Sequence, residues 1–218
     1  MIDVLPAILS HTREDLHEKI AKIPAAKALH IDLMDGRFVD NATVGTNDCD
    51  GLPADKIIEY HLMVREPVEW MRELAGGRER IYVVHFEALE AAGPGTLEEA
   101  LATAKEMDGE LGIAINPPTP VEKLAKMLSD NPDIAQALVM TVNPGWAGQS
   151  YISEMEEKMR FLRARHPKLT IEVDGGVGPK TAPGAAKAGA NRFAAANALF
   201  KAPDANQAYR DLVRLLNP

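Results

Sequence analysis

The sequence contains a single cysteine, Cys49, so no intramolecular disulfide can form and nothing points to an oxidising compartment; the cytoplasm is the expected location. No apolar run approaches the ~18–20 residues that a membrane helix needs. Met1 to Ser10 has neither the basic flank nor the cleavage site of a signal peptide, so residence where the chain is made is expected. There is no excess of positive charge. The 24 Lys and Arg stand against 32 Asp and Glu, a net charge of −8, which argues against a general nucleic-acid or anionic-membrane binder but leaves room for a local basic pocket. Linkers, low-complexity tracts and repeats are also missing, so residues 1–218 are expected to form one domain, with a sizeable core drawn from the 46% of hydrophobic residues.

What is present is alternation. Eight short apolar runs recur, at Val4–Leu9, Ala28–Met34, Ile57–Val64, Ile81–Phe86, Leu111–Ile115, Ala137–Val142, Thr170–Val173 and Arg192–Ala196. Most are followed by stretches of helical period, at Arg13–Ile23, Pro67–Leu74, Thr96–Met107, Val121–Leu128, Ser153–Arg165 and Asn206–Leu216. Thr96 to Glu99 has the spacing of a capping box, and Pro120 sits where a first helical turn tolerates proline. Such alternation implies a parallel sheet with helical crossovers. A doubly wound sheet would normally carry a glycine-rich first turn, yet Leu9 is followed by Ser10-His11-Thr12-Arg13. Eight strands therefore favour a closed α/β barrel, the (β/α)8 or TIM barrel. Asp40 to Asp55, rich in Asp, Asn and Gly, reads as loop with at most a short degraded helix.

On a strand, residues two apart share a face, so His30, Asp32 and Met34 point together, as do His61 and Met63, and as do Glu172 and Asp174. All fall at strand ends, and barrel active sites gather at the carboxyl ends. A lone strand histidine is most often a satisfied core or surface group. Two histidines and two carboxylates together match the nitrogen and oxygen donor set of zinc, with manganese, iron and cobalt also admitted. Met34, Met63 and Met140 would serve as core filler or as a soft, water-poor wall. Glu172 reads as a buried partner deeper in the barrel. A second constellation, Thr141 to Gln149, follows one strand and precedes a helix, and its glycines and the helix N-terminus could present N–H groups to an anion. It lacks the Gly-Lys-Ser/Thr ending of a nucleotide loop. With Asp174-Gly175-Gly176-Val177-Gly178 and Ala196-Asn197 it could form a phosphate pocket, although ordinary barrel loops would read the same way.

These segments carry a resemblance. Along nearly its whole length the chain resembles ribulose-phosphate 3-epimerases, through Pro6-Ala7-Ile8-Leu9-Ser10, His30-Ile31-Asp32-Leu33-Met34-Asp35-Gly36, His61-Leu62-Met63-Val64, Val84-His85-Phe86-Glu87, Asn116-Pro117-Pro118-Thr119-Pro120, Met140-Thr141-Val142-Asn143-Pro144-Gly145 and Glu172-Val173-Asp174-Gly175-Gly176. The resemblance implies a barrel of the ribulose-phosphate-binding type that interconverts D-ribulose 5-phosphate and D-xylulose 5-phosphate in pentose phosphate metabolism. It implies one divalent cation per subunit, zinc foremost, on His30, Asp32, His61 and Asp174. Asp32 and Asp174 would act as paired acid and base on opposite faces of an enediolate. Substrate would contact Ser10, His61, Met34, Met63, Met140, Gly145, Trp146, Ala147, Gly148, Gly175, Gly176, Ala196 and Asn197. Many barrels of the family are oligomeric, so a homo-oligomer stays open.

Three departures bear on the substrate. The family usually has Gly-Phe-Gly-Gly-Gln where this chain has Gly145-Trp146-Ala147-Gly148-Gln149, Gly-Ser where it has Ala196-Asn197, and proline where it has Asp40. An added methyl restricts close backbone approach and positive φ, while Asn197 can cap a helix or donate hydrogen bonds. The alternatives are a 3-epimerase of another ketose phosphate such as allulose 6-phosphate, an epimerase of an unphosphorylated ketose, or a barrel that binds sugar phosphate without turnover. Decarboxylases and aldolase-like synthases on such barrels would carry Asp-x-Lys-x-x-Asp, and Asp32-Leu33-Met34-Asp35 has no lysine there.

Overall fold

The computed structural model describes residues 2–218. Eight parallel strands close in sequence order: β1 (Asp3–Leu9), β2 (Ala28–Met34), β3 (Ile57–Met63), β4 (Arg80–His85), β5 (Glu110–Ile115), β6 (Ile134–Met140), β7 (Thr170–Asp174) and β8 (Arg192–Ala195). Each expected apolar run is a strand, and β8 pairs back onto β1 to remove both edges. The architecture is a TIM barrel. Among the described residues, no helix is long and apolar enough to cross a membrane.

The helices are α1 (Arg13–Ala21), α2 (Pro67–Glu73), α3 (Phe86–Ala92), α4 (Thr96–Glu106), α5 (Val121–Asp130), α6 (Glu156–Arg165), α7 (Ala182–Ala188), α8 (Asn197–Phe200) and α9 (Ala205–Leu216). Local chemistry explains several starts. Thr12 accepts from the Asp15 N–H at 3.2 Å and Asp204 from the Gln207 N–H at 2.9 Å, while Pro67 occupies the first turn of α2. The expected box at Thr96 does not form. Gly93 and Gly95 both take positive φ and move the helix entry one residue upstream, so Gly95 caps α4 and the Thr96 hydroxyl donates back to the Gly93 carbonyl. Between β2 and β3 only a short 3-10 turn, Thr46–Cys49, replaces a crossover helix. That agrees with the loop reading of 40–55.

Two apolar layers result. Outward residues such as Ile31, Leu33, Tyr60, Leu62, Val84 and Ile113 pack under the helices. Inside the barrel, Ile81, Val83, Ala114, Leu138 and Met140 of β4 to β6 form a separate apolar cluster. The inner faces of β2, β3 and β7 carry His30, Asp32, Glu59, His61 and Glu172 instead, all buried. Half of the barrel interior is thus oily and half ionisable.

Candidate active site

Register brings the ionisable half together. In the β2–β3 ladder Asp32 pairs with His61 and Met34 with Met63, and in the β6–β7 ladder Met140 pairs with Asp174. Paired residues in a ladder project to the same side. The His30 Nε2 stands 3.2 Å from Asp32 Oδ1 and 3.2 Å from His61 Nδ1, the His61 Nδ1 lies 3.0 Å from Asp32 Oδ1, and Asp174 Oδ2 completes the group at 3.8 Å from His61 Nδ1. One donor atom from each of the four residues lies within 4.8 Å of the others. Tetrahedral zinc bonds of about 2.0–2.2 Å would separate their donors by roughly 3.3–3.6 Å, so the spacing needs little adjustment to hold a divalent ion.

The outer partners of the imidazoles support the same fit. His30 Nδ1 faces Glu59 Oε1 at 2.6 Å, and His61 Nε2 faces His85 Nε2 at 2.9 Å. A histidine that gives its outer N–H to such a partner turns a bare lone pair inward. Three acceptors, His30 Nε2, His61 Nδ1 and Asp32 Oδ1, then crowd one point, a geometry that calls for a cation or a proton. Burial works against the proton on His30, but hydrogen bonds to Asp32, Glu172 and Glu59 raise its pKa well above the ordinary imidazole value. Burial likewise acts upward on Asp32, yet hydrogen bonds from His30 and His61 outweigh it and hold this carboxyl well below the usual range. Asp174 moves the other way. Burial and the neighbouring Asp32 charge push it up. Two carboxyls with divergent environments suit a pair of which one holds a proton while the other accepts one.

Below this cluster lies a polar floor that local sequence patterns missed, apart from Glu172. Gln136 Nε2 donates to Glu59 Oε2 at 2.6 Å and to Glu172 Oε2 at 3.0 Å, and Arg192 reaches Gln136 and Glu59. Burial, then the Glu59 charge, pushes the Glu172 carboxyl up, and its Oε1 stands 3.3 Å from His30 Nδ1.

Above the cluster opens a cavity of about 480 Å³, lined by Asp32, Met34, Met63, Met140, Gly145, Trp146, Ala147, Gly148, Asp174, Gly175, Gly176, Ala196 and Asn197. The three methionines are buried and form its lower wall. Two expected substrate contacts do not line it. His61 is fully buried behind Asp32, and Ser10 is buried with its Oγ 3.3 Å from the Lys19 Nζ, which also donates to the Leu9 carbonyl at 2.6 Å. The helical stretch expected from Ser153 opens as a 3-10 turn at Ser153–Met155, and α6 starts only at Glu156, so no α-helix N-terminus directly follows Gln149. Backbone donors are present elsewhere. The N–H groups of Gly175, Gly176, Ala196 and Asn197 have no protein partner among the described residues. Lys180 and Thr181, which no sequence pattern singled out, also line this wall, and the Thr181 hydroxyl accepts from the Gly178 N–H at 3.0 Å and donates to the Gly176 carbonyl at 2.8 Å, which fixes the loop. The Asn41 side chain donates to the Gly145 carbonyl at 2.6 Å, so the altered loop after Gly36 braces the rim.

Gly175 cannot carry a side chain. Its φ is +114°, and an added Cβ would stand 2.5 Å from Val142 Cγ2 and 2.9 Å from the Val142 backbone nitrogen. Gly175→Ala is expected to cost about 2–3 kcal/mol through overpacking and backbone strain, read as a lower urea midpoint, and to raise KM by displacing the unpartnered N–H groups.

Two decarboxylase and synthase barrels superpose on the chain: 3-hexulose-6-phosphate synthase from Salmonella typhimurium (TM-score 0.73, 14% identity, 99% of each chain) and 3-keto-L-gulonate-6-phosphate decarboxylase from Vibrio cholerae (0.70, 18%, covering 100% of this chain and 97% of that one). At that identity they bear on the fold. Closer in sequence are the cytoplasmic isoform of ribulose-phosphate 3-epimerase from Oryza sativa subsp. japonica, 34% identical over 92% of this chain and 88% of the relative, and ribulose-phosphate 3-epimerase from Synechocystis, 37% identical over 93% and 89%. The model of the ribulose-phosphate 3 epimerase family matches residues 3–200. With 198 of its residues under that model and curated epimerases aligned along nearly the whole barrel, the chain belongs to the ribulose-phosphate 3-epimerase family and is an isomerase.

Proposed function

We propose that the protein interconverts D-ribulose 5-phosphate and D-xylulose 5-phosphate by proton transfer at C3, and that His30, Asp32, His61 and Asp174 would hold a divalent cation. The observation that carries this reading is the pairing of two carboxyls of divergent acidity with two histidines at the base of a cavity whose upper wall offers unpartnered N–H groups. The C3 proton lies beside a carbonyl and is only weakly acidic, so removing it requires a positioned base and stabilisation of the enediolate. A cation held there would supply positive charge to stabilise the enediolate. Zinc suits the two imidazoles and two carboxylates.

The residues supply the rest. Asp32 and Asp174 line the cavity from β2 and β7, and one takes the C3 proton from one face while the other delivers a proton to the opposite face. Inversion follows from that two-sided placement, and the roles exchange with the direction of reaction. Met34, Met63 and Met140 keep water from the planar intermediate. Gly175, Gly176, Ala196 and Asn197 face the phosphate with their N–H groups, while Gly145, Trp146, Ala147 and Gly148 form the outer rim. Steady-state turnover of ribulose 5-phosphate tests the reading: activity that disappears on chelation and returns with added zinc or manganese supports it, and binding without turnover overturns it.

The rim weighs against a longer ketose phosphate, because Asn197 Nδ2 stands 2.8 Å from where a Cβ on Gly148 would lie and its carboxamide fills space between the two loops. Relative kcat/KM for ribulose 5-phosphate, allulose 6-phosphate and unphosphorylated ribulose separates the substrates. The expected order puts ribulose 5-phosphate first and the unphosphorylated sugar last by at least ~100-fold, since loss of the phosphate leaves the polar wall unpaired.

A further inference from the structure

His85 and Glu87 lie outside the cavity lining, in a motif to which the reaction assigns no part. The His85 ring is fully buried, between Phe38 at 4.9 Å and His61 at 5.1 Å between centroids. Its Nε2 meets His61 Nε2 at 2.9 Å, so one of the two nitrogens carries a proton and the other accepts it. The direction is decided at the far end. Glu87 Oε1 accepts from the Asn116 backbone N–H at 2.9 Å and from the Thr119 hydroxyl, while Glu87 Oε2 and His85 Nδ1, both buried and neither otherwise hydrogen-bonded, face each other across 3.4 Å, a separation a small side-chain rotation closes. That carboxylate can only accept, so the proton of the neutral His85 sits on Nδ1 and its Nε2 is bare. His61 must then donate from Nε2 and keep a lone pair on Nδ1, the atom that faces Asp32 and Asp174.

We propose that Glu87, acting through His85, sets the tautomer of His61 and thereby its readiness to bind the divalent cation; both are positioning residues. This rests on the metal reading given above. The device has an opponent, since Asp32 Oδ1 at 3.0 Å would otherwise draw a proton onto Nδ1, the nitrogen the cation needs bare. The far end is itself anchored. Lys158 Nζ donates to the carbonyls of Asn116, Pro117 and Thr119 at 3.0, 2.8 and 2.6 Å, and so fixes the loop that presents the Asn116 N–H to Glu87.

Glu87→Gln tests the polarity with almost no change of shape. The Asn116 N–H is a backbone donor that cannot reverse, so the carboxamide oxygen takes the Oε1 position and its NH2 faces His85 Nδ1. His85 then protonates on Nε2, and His61 is driven to carry its proton on Nδ1. In metal-depleted protein with 15N-labelled histidine, His61 is expected to show the Nε2–H pattern in wild type and the Nδ1–H pattern in the variant. Zinc affinity, measured by competition with a chromophoric chelator, is expected to fall ~10–100-fold in Glu87→Gln. His85→Leu is expected to lose a similar factor, and His85→Gln, which keeps an acceptor toward His61, to regain most of it; this pair decides the matter if Glu87→Gln does not fold. Unchanged 15N patterns, or His85→Leu binding zinc as wild type does, overturn the proposal. A wild-type protein that binds no zinc overturns the metal reading instead, and the 15N pattern of that protein still decides the tautomer.

Discussion

Asp174→Asn is expected to lower epimerase turnover by ~10³-fold or more while the barrel stays folded, and Asp32→Asn to do the same. General acid–base groups contribute about 10²–10⁴-fold, and in the proposed mechanism each of these residues serves both as a proton carrier and as a cation ligand. Asn keeps an oxygen toward the cluster but cannot move a proton. The two variants should fail differently. If the carboxyls serve opposite faces, each variant retains one base, so it exchanges the C3 hydrogen of one epimer with solvent deuterium and leaves the other untouched. Mass spectrometry of recovered sugar phosphate reads this directly, and exchange of both epimers by either variant would sink the two-base assignment. Stability gives a control. Burial and the Asp32 charge push Asp174 up, so neutralising it in metal-depleted protein removes a repulsion and the variant should melt no lower than wild type.

The strand faces that build this site were legible in the sequence because a strand has period two. His30, Asp32 and Met34 alternate with Leu29, Ile31 and Leu33, so the composition of each face announces itself before any fold is known. His61 and Met63 repeat the pattern one strand later, and the ladder then sets Asp32 beside His61. The polar floor was less legible for a physical reason: Gln136 meets Glu59 across 77 residues, and Arg192 meets it across 133. Such contacts exist only once the sheet closes. Helix α3 was hidden because it continues from β4 without a loop, Phe86 being both the end of an apolar run and the first helical residue. Helix α7, Ala-Pro-Gly-Ala-Ala-Lys-Ala, offers no large apolar residue to mark a period. The Ser10 expectation followed motif position, and in the structure the Lys19 ammonium stands by that hydroxyl instead.

Removal of the divalent cation should abolish turnover, and its return should be pH-dependent in a direction set by His30. In metal-free protein, burial disfavours the His30 cation, but hydrogen bonds to Asp32, Glu172 and Glu59 prevail and raise its pKa well above the ordinary value. A proton is then expected where the proposed cation would bind. For a raised pKa the associated stabilisation is full at low pH and is lost as pH rises through the folded-state value. The cation needs the Nε2 lone pair, so its binding expels that proton and grows tighter as pH rises. Titration of metal-depleted protein with zinc at pH 7 is expected to release about one proton from His30, measurable as a buffer-dependent calorimetric enthalpy. Affinity should fall by about tenfold per pH unit below that pH, and the gap in Tm between loaded and metal-free protein should widen from pH 6 to pH 8. His30→Gln offers a lone pair that never protonates in this range, so its weaker binding should lose most of that slope. A slope that survives intact in His30→Gln would assign the competing proton to another group and remove His30 from this role.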